Sequence, residues 1–361
     1  MKYILMICGL LICCIVFLKY WIPFGATPSF KDQQNYALRH KYFKNKRFYN
    51  EHDYQRIYKH YSKNHYLSTQ NIQPPKKLPI QKVNFHHAPS LDYLSITWLG
   101  HSSIYLQMHG MNILIDPVFS DCASPLSFIG AHRFSDVPLN IDDFIDIDIV
   151  LITHDHFDHL DYQTIQKIDK KVKTYVVPLG IEGHLKRWKI QSHKIINLAW
   201  WETTKINGLH IACTPAKHNS ARNFVFDSYK TLWSSWVIFD EYYKVFNSGD
   251  TGYDSHFKDI HEKFGDFDLA ILECGQYNTR WKSTHMTPEE SVQAGQILNA
   301  KMLLPVHWGT FHLAQHPWDD SIERFVLQAQ QENLQYMTPM IGESVDFSHQ
   351  IVTKKWWRNI K

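Results

Sequence analysis

Apolar residues and one glycine fill the chain from Ile4 to Leu18, flanked by Lys2 and by Lys19, Tyr20 and Trp21. With Tyr3 and the stretch to Phe24 the run reaches about 20 residues, enough for one helical span. Lys19 is placed to snorkel, and Tyr20 with Trp21 suits an interfacial aromatic anchor. A cleaved signal peptide is the alternative, but Phe24, two positions before Ala26, fits the small-residue cleavage pattern poorly. Residues 1–26 are therefore expected to be a membrane anchor or uncleaved signal, a single N-terminal segment tethering the protein. Lys2 and Lys19 sit at opposite ends, which leaves the side of the membrane open.

Residues 27–80 are rich in Lys, Arg, His, Tyr and Asn and show little apolar periodicity. Lys41, Lys44, Lys46 and Arg47 alternate with Tyr42, Phe43, Phe48 and Tyr49. Two readings stand side by side: a segment that adheres to an anionic membrane surface, and a solvated arm wrapped over the catalytic domain. Pro74, Pro75 and Pro79 mark a boundary.

From residue 81 to 361 the rhythm changes to short apolar strands broken by turns. Leu94 to Leu99 alternates as a half-buried strand does and stops at Gly100. Strands are predicted next at Ser103 to Met108, with a His109-Gly110 turn, and at Asn112 to Asp116, ended by Pro117. Linked hairpins of this kind predict an antiparallel start to a sheet. A strong strand at Ile147 to Thr153 comes next, then strands at Lys173 to Val177, His210 to Thr214, Trp233 to Asp240, Lys244 to Asn247 and Leu269 to Glu273. Helical patterns lie near Thr164 to Ile168, Gly180 to Trp188, Pro288 to Leu298 and Ser321 to Asn333. Thr287 as N-cap, Pro288 in the first turn and Glu289 with Glu290 after it make a good helix start. The mixture predicts an α+β domain of stacked sheets covered by helices.

Composition adds two departures from the ordinary: 23 histidines and an aromatic share of 14%. A formal charge of +3 is too small to argue for nucleic acid. Cys8, Cys13 and Cys14 lie in the N-terminal run, while Cys122, Cys213 and Cys274 are far apart. None has the paired spacing of a structural zinc or disulfide framework.

The histidines matter most where they cluster. Residues 154 to 159 read His-Asp-His-Phe-Asp-His, straight after a buried-looking strand and before a helix. Three imidazoles and a carboxylate offer too many ligands for one tight turn to aim at one ion. A loop from strand to helix can direct His154 and His156 to one metal, while Asp158 and His159 turn to another. These donors suit zinc, and also iron or manganese. A chance histidine-rich loop is the bland reading, and its place at a strand end argues against it. His218 and Asp250 each come just after a predicted strand, and His307 just after the apolar run Lys301 to Val306, where binding residues are normally assembled. Singly each reads as structural; together they supply the missing ligands.

His154-Asp155-His156-Phe157-Asp158-His159 resembles the His-x-His-x-Asp-His signature of the metallo-β-lactamase superfamily, and His218, Asp250 and His307 succeed it in the family's order. Further runs resemble the N-acyl-phosphatidylethanolamine-hydrolysing phospholipases D and their bacterial relatives. Among them are Trp98-Leu99-Gly100-His101-Ser102, Asp116-Pro117-Val118-Phe119-Ser120, Gly249-Asp250-Thr251-Gly252-Tyr253 and His307-Trp308-Gly309-Thr310-Phe311. The resemblance spans roughly residues 90 to 315 and implies a four-layer αβ/βα sandwich with two zinc ions where the sheets meet. It assigns His154, His156 and His218 to the first ion and Asp158, His159 and His307 to the second, with Asp250 bridging. It also places His285 on the substrate side, where holding a metal ligand in place or packing at a helix N-terminus is the bland alternative. One departure stands out: Glu273-Cys274-Gly275-Gln276-Tyr277 sets an acid where that family is more apolar.

The chemistry these residues imply is hydrolysis by metal-activated water, with Asp250 and His285 as catalytic candidates. A phospholipid of the N-acyl-phosphatidylethanolamine type is the expected substrate and a membrane surface the expected partner. A lactone or other small ester is the enzymatic alternative, since fold and ligands do not separate them. A membrane-bound scaffold with a vestigial site is the non-enzymatic one. Asp155 is expected to shape the loop or accept a bond from a ligand, and His101 to support the site. Nothing in the sequence sets the oligomeric state.

Overall fold

Strands whose side chains alternate between two apolar environments build the body of the chain. The computed structural model describes Tyr3, Phe17, Tyr20 and residues 21–52, 70–88, 90–223, 227–352 and 354–360. In chain order, helix α1 (Phe30–Arg39) and a small hairpin of β1 (Phe43–Lys44) and β2 (Arg47–Phe48) form the arm. Then come β3 (Leu94–Trp98), β4 (Ile104–Met108), β5 (Met111–Ile115), the hairpin β6 (Cys122–Leu126) with β7 (Ile129–His132), and β8 (Ile147–Leu151). Helix α2 (Tyr162–Ile168), β9 (Val172–Pro178), α3 (Ile181–Arg187) and β10 (Ile195–Leu198) complete the first half. The second holds β11 (Thr203–Ile206), β12 (Leu209–Thr214), β13 (Ser235–Phe239), β14 (Lys244–Asn247), α4 (His256–Phe264) and β15 (Leu269–Glu273). Helix α5 (Pro288–Ile297), β16 (Leu303–Val306), α6 (Asp320–Gln331) and β17 (Ser344–Asp346) end the chain's regular structure apart from a short terminal turn.

Two large mixed sheets result. The first has seven strands in the order β10-β9-β8-β5-β4-β3-β17, and the second six, in the order β11-β12-β13-β14-β15-β16. The expected antiparallel start is present: β3 pairs β4 and β4 pairs β5 antiparallel, the second through a two-residue turn. His109 and Gly110 both take positive φ there, 54° and 70°, the conformation a tight hairpin requires. From β5 onward the pairing to β8, β9 and β10 is parallel. The second sheet likewise runs antiparallel from β11 to β14 and parallel from β14 to β16.

Period-2 alternation separates two cores. Ile104, Leu106 and Met108 of β4 join Ile113 and Ile115 of β5 in the main core, which also holds Ile211, Trp236, Ile238 and Phe246 of the other sheet. Tyr105 and Leu114 point the opposite way, into a second core under α2 and α3 with Ile165, Ile168, Ile181 and Leu185. Helix α5 lies against β15 and β16, with α6 packed on it. The architecture is a mixed αβ sandwich of the kind the sequence predicts. Thr287 accepts from Glu290 N and Glu290 returns the bond, so α5 starts with a full capping box.

The arm is not a free basic segment. Tyr36, Phe43 and Phe48 are buried in the main core, Tyr36 donates to buried Glu182 at 2.6 Å, and Arg39 binds Glu202 and Asn197.

Among the described residues no helix is long and apolar enough to cross a membrane. This overturns the expected tethering by a single N-terminal span; that run, Ile4 to Leu18, lies outside the described residues except for Phe17. The aromatic residues read as its interfacial anchor are engaged elsewhere. Trp21 Nε1 donates to Pro125 O, Tyr20 O accepts from Arg187, and Ile22–Phe24 is a single 3-10 turn whose Ile22 O accepts from Trp188.

Candidate metal centre

Strand direction brings the candidate residues to one edge. β5 and β8 run parallel, and β12, β14, β15 and β16 share a direction, because β13 is antiparallel to both its neighbours. The residues after β5, β8, β12, β14 and β16 are Asp116, the 154–159 loop, His218, Asp250 and His307. Backbone bonds join the two sheets at this edge, with Ser234 N donating to Thr153 O at 2.9 Å.

The histidine loop is pinned by Asp116. Its carboxylate accepts from Thr153 N at 2.8 Å, Thr153 Oγ1 at 2.6 Å and His159 Nδ1 at 2.8 Å. A turn closes the loop through Leu160 N to His156 O, and Asp161 caps α2 through Gln163 N. Across the cleft, Gly249 takes φ +54° just before Asp250. A Cβ there would lie 2.9 Å from the Cβ of Thr153, which follows β8, so glycine is what lets this turn approach the other sheet.

Two convergent groups form. In the first, His156 Nδ1 lies 3.0 Å from His154 Nε2 and 3.2 Å from His218 Nε2, and Asp250 Oδ2 is 3.8 Å from both Nε2 atoms. In the second, His159 Nε2 and His307 Nε2 are 3.3 Å apart, with Asp158 Oδ2 at 3.6 and 3.5 Å from them. Asp250 also reaches this group, Oδ2 to His159 Nε2 at 3.1 Å and Oδ1 to His307 Nε2 at 3.2 Å. All seven residues singled out in the sequence are thus brought together, and Asp250 faces both groups.

These spacings fit metal ions. Two ligands about 2.1 Å from a tetrahedral ion stand roughly 3.4 Å apart. The donors are imidazole and carboxylate only, suited to zinc, iron or manganese. The outward nitrogens are fixed as metal-ligating histidines require. His218 Nδ1 donates to Thr284 O at 2.9 Å, His307 Nδ1 to Gly275 O at 3.3 Å, and His154 Nδ1 meets Thr153 Oγ1 at 3.0 Å. With those protons outward, the inner nitrogens of His154 and His218 turn lone pairs into the first group, where a cation would be held.

Electrostatics splits the groups. Burial holds His154 and His218 well below the ordinary imidazole range, and neighbouring histidines push the same way. Burial opposes charge on His159 and His307 too, but Asp250 and Asp158 outweigh it, holding His159 well above its usual value and raising His307 to about 10. Asp250 and Asp158 are held well below the usual carboxylate range against the cost of burial, both by His159 and by His307. Positive charge is favoured at this point of the cleft, and a cation binding there displaces protons.

Around the two groups stand the residues that orient them. Glu273 is buried: its Oε2 accepts from His285 Nδ1 at 2.8 Å and its Oε1 from Thr251 N and Met286 N. This leaves His285 Nε2 facing Asp250 Oδ2 at 3.9 Å. His101 Nε2 meets Asp158 Oδ2 at 2.9 Å. Asp155 points away from the ligand histidines, accepting from Thr231 Oγ1 at 2.7 Å and His184 Nε2 at 3.3 Å. Asp116 had a signal, a carboxylate at a strand end before proline; its positive φ of 43° did not.

Comparison with known proteins agrees with this architecture. A family model described as a β-lactamase superfamily domain matches residues 111–308. A Mycobacterium tuberculosis protein of no stated activity is 36% identical over 290 residues, covering 79% of this chain and 77% of its own. The N-acyl-phosphatidylethanolamine-hydrolyzing phospholipase D 1 of Caenorhabditis elegans is 35% identical over 262 residues, 68% of this chain and 73% of that protein. Among solved structures, a metallo hydrolase of the archaeon Ignicoccus hospitalis superposes with a TM-score of 0.55 at 23% identity, covering 72% of this chain and all of that one, a likeness of fold. The chain therefore belongs to the β-lactamase superfamily of metal-dependent hydrolases.

Proposed function

We propose that the chain is a binuclear metallohydrolase that cleaves the phosphodiester of N-acyl-phosphatidylethanolamine-like lipids in the manner of a phospholipase D. The observation that carries the binuclear reading is Asp250, whose carboxylate lies within 3.8 Å of His154 and His218 and within 3.2 Å of His159 and His307. His154, His156 and His218 would hold one zinc ion and Asp158, His159 and His307 the other, with Asp250 shared. Such a pair supplies Lewis acidity to a phosphoryl oxygen and makes water a nucleophile near neutral pH.

The chain's own residues do the rest. Asp250 fixes the spacing of the two positions and accepts hydrogen bonds from an incoming water. Glu273 holds the Nδ1 proton of His285, so Nε2 is the atom turned to the cleft. A protonated Nε2 gives its proton to the departing alkoxide oxygen as the phosphorus–oxygen bond breaks. Burial disfavours a charged His285, yet Glu273 and Asp250 outweigh it and raise its pKa, which keeps that proton available. The substrate class rests on the 35% identity to the C. elegans phospholipase.

A panel of N-acyl-phosphatidylethanolamine, ordinary phospholipids, acyl-homoserine lactones and sugar-phosphate lactones tests the reading. Release of phosphatidic acid and N-acyl-ethanolamine from the N-acyl-phosphatidylethanolamine arm supports it. Turnover of lactones alone overturns the phosphodiesterase assignment.

A further inference from the structure

The arm reaches the centre directly. Asn50, 9% exposed, lies two residues after β2, and its carboxamide pairs with the main chain of His218 in both directions. Nδ2 donates to His218 O at 3.0 Å and Oδ1 accepts from His218 N at 3.1 Å. Oδ1 also accepts from Trp233 Nε1 at 3.0 Å. His218 lies past β12 in chain that belongs to no strand, and the side chain of Asn50 makes the pair of bonds that a neighbouring strand would. Only a carboxamide offers a donor and an acceptor at that spacing; a carboxylate would set oxygen against oxygen at His218 O.

A second N-terminal contact, from the turn just ahead of the arm, holds the other wall of the same group. Arg222 is fully buried, and its guanidinium touches carbonyls: Nη1 donates to Asp155 O and Leu160 O, each at 2.7 Å, and Nε and Nη2 donate to Pro23 O at 3.0 and 2.8 Å. One arginine thus ties both ends of the histidine loop to Pro23, in the turn just ahead of the arm, with Phe157 under its cation at 4.2 Å. Docking of the arm is anchored by Phe48 N to Tyr229 O at 2.8 Å and by the buried Tyr36–Glu182 bond.

We infer that the N-terminal arm is a working part of the metal centre, with Asn50 the positioning residue for His218. This rests on the binuclear reading proposed for the site. The imidazole of His218 is fixed at Nδ1 by Thr284 O and its main chain by Asn50, so losing Asn50 frees the ring to drift from the first group while leaving the second intact. Partners of this kind, once removed, lower metal affinity by about 10- to 100-fold.

The test compares the full chain with Asn50→Ala and the isosteric Asn50→Asp, which keeps the acceptor and loses the donor. Metal-stripped protein is titrated with zinc against a chelator, and amide hydrogen exchange of His218 is measured without metal. The expected result is affinity about 10- to 100-fold weaker at one of the two positions, the other unchanged, with faster exchange at His218. Equal weakening at both positions, or wild-type affinity and exchange in a merely less stable variant, overturns the inference. A wild-type chain that takes up no zinc ends the binuclear reading; His218 exchange in the variants then decides by itself whether Asn50 positions it.

Discussion

His159 Nδ1 lies 2.8 Å from Asp116 Oδ2, and this bond turns the Nε2 atom of His159 toward His307. The same carboxylate takes two further donors from Thr153, so three protons converge on two oxygens.

An asparagine at position 116 cannot accept all three, because its NH₂ must face one of the donors. Asp116→Asn is expected to weaken the second metal position by about 10- to 100-fold. Chelator competition on the purified variant checks this, and unchanged affinity at both positions would show that Asp116 does not orient His159.

His285→Asn removes the acid proposed for the leaving group without touching a proposed ligand. The expected outcome is a fall in kcat of about 10²- to 10⁴-fold with metal content retained. Glu273→Gln should lower kcat less. A His285→Asn enzyme with wild-type kcat would return that residue to a packing role.

Trp98 stacks on Trp308 at 5.1 Å, and its Nε1 donates to His101 O. Trp98→Ala in this main core should cost about 3–5 kcal/mol in denaturant unfolding. A loss below about 1 kcal/mol would mean the site collapses around the gap, which the dense ring of tryptophans there argues against.

His40 fixes a pH response in the arm. It is buried against Trp200 and Phe48, and burial lowers its pKa from 6.5 to about 4. The unfolded chain therefore binds a proton that the folded chain refuses between those values. Stability from neutral His40 is present above pH 6.5 and lost as pH falls toward about 4. Thermal unfolding of His40→Gln across this window should show a shallower acid loss than wild type. Equal slopes would remove His40 as the cause.

The features legible in the sequence are those whose signal is local. The six-residue histidine run comes directly after a strand rich in Ile, Val and Leu, and His218, Asp250 and His307 each stand just past a readable strand. The capping box of α5 is visible in Thr287 and Glu290. Helix α1 is not legible, because Phe30 and Leu38 face solvent and only Tyr36 is buried, so no 3.6-residue stripe exists. Its one local mark is Ser29 three residues before Asp32, which forms a capping box. Helix α4 does carry a stripe, Phe257, Ile260 and Phe264, although the sequence reading assigns no helix there. The roles of Asn50 and Arg222 depend on contacts across the chain, which leave no pattern in neighbouring residues.

The most direct test is the metal content of the purified full-length chain, measured by mass spectrometry beside His154→Ala and His307→Ala. Two separate groups sharing Asp250 predict about two ions per chain in the wild type and about one in each variant, with hydrolysis lost in both. Wild-type protein with close to no metal, and activity untouched by either substitution, would contradict the account.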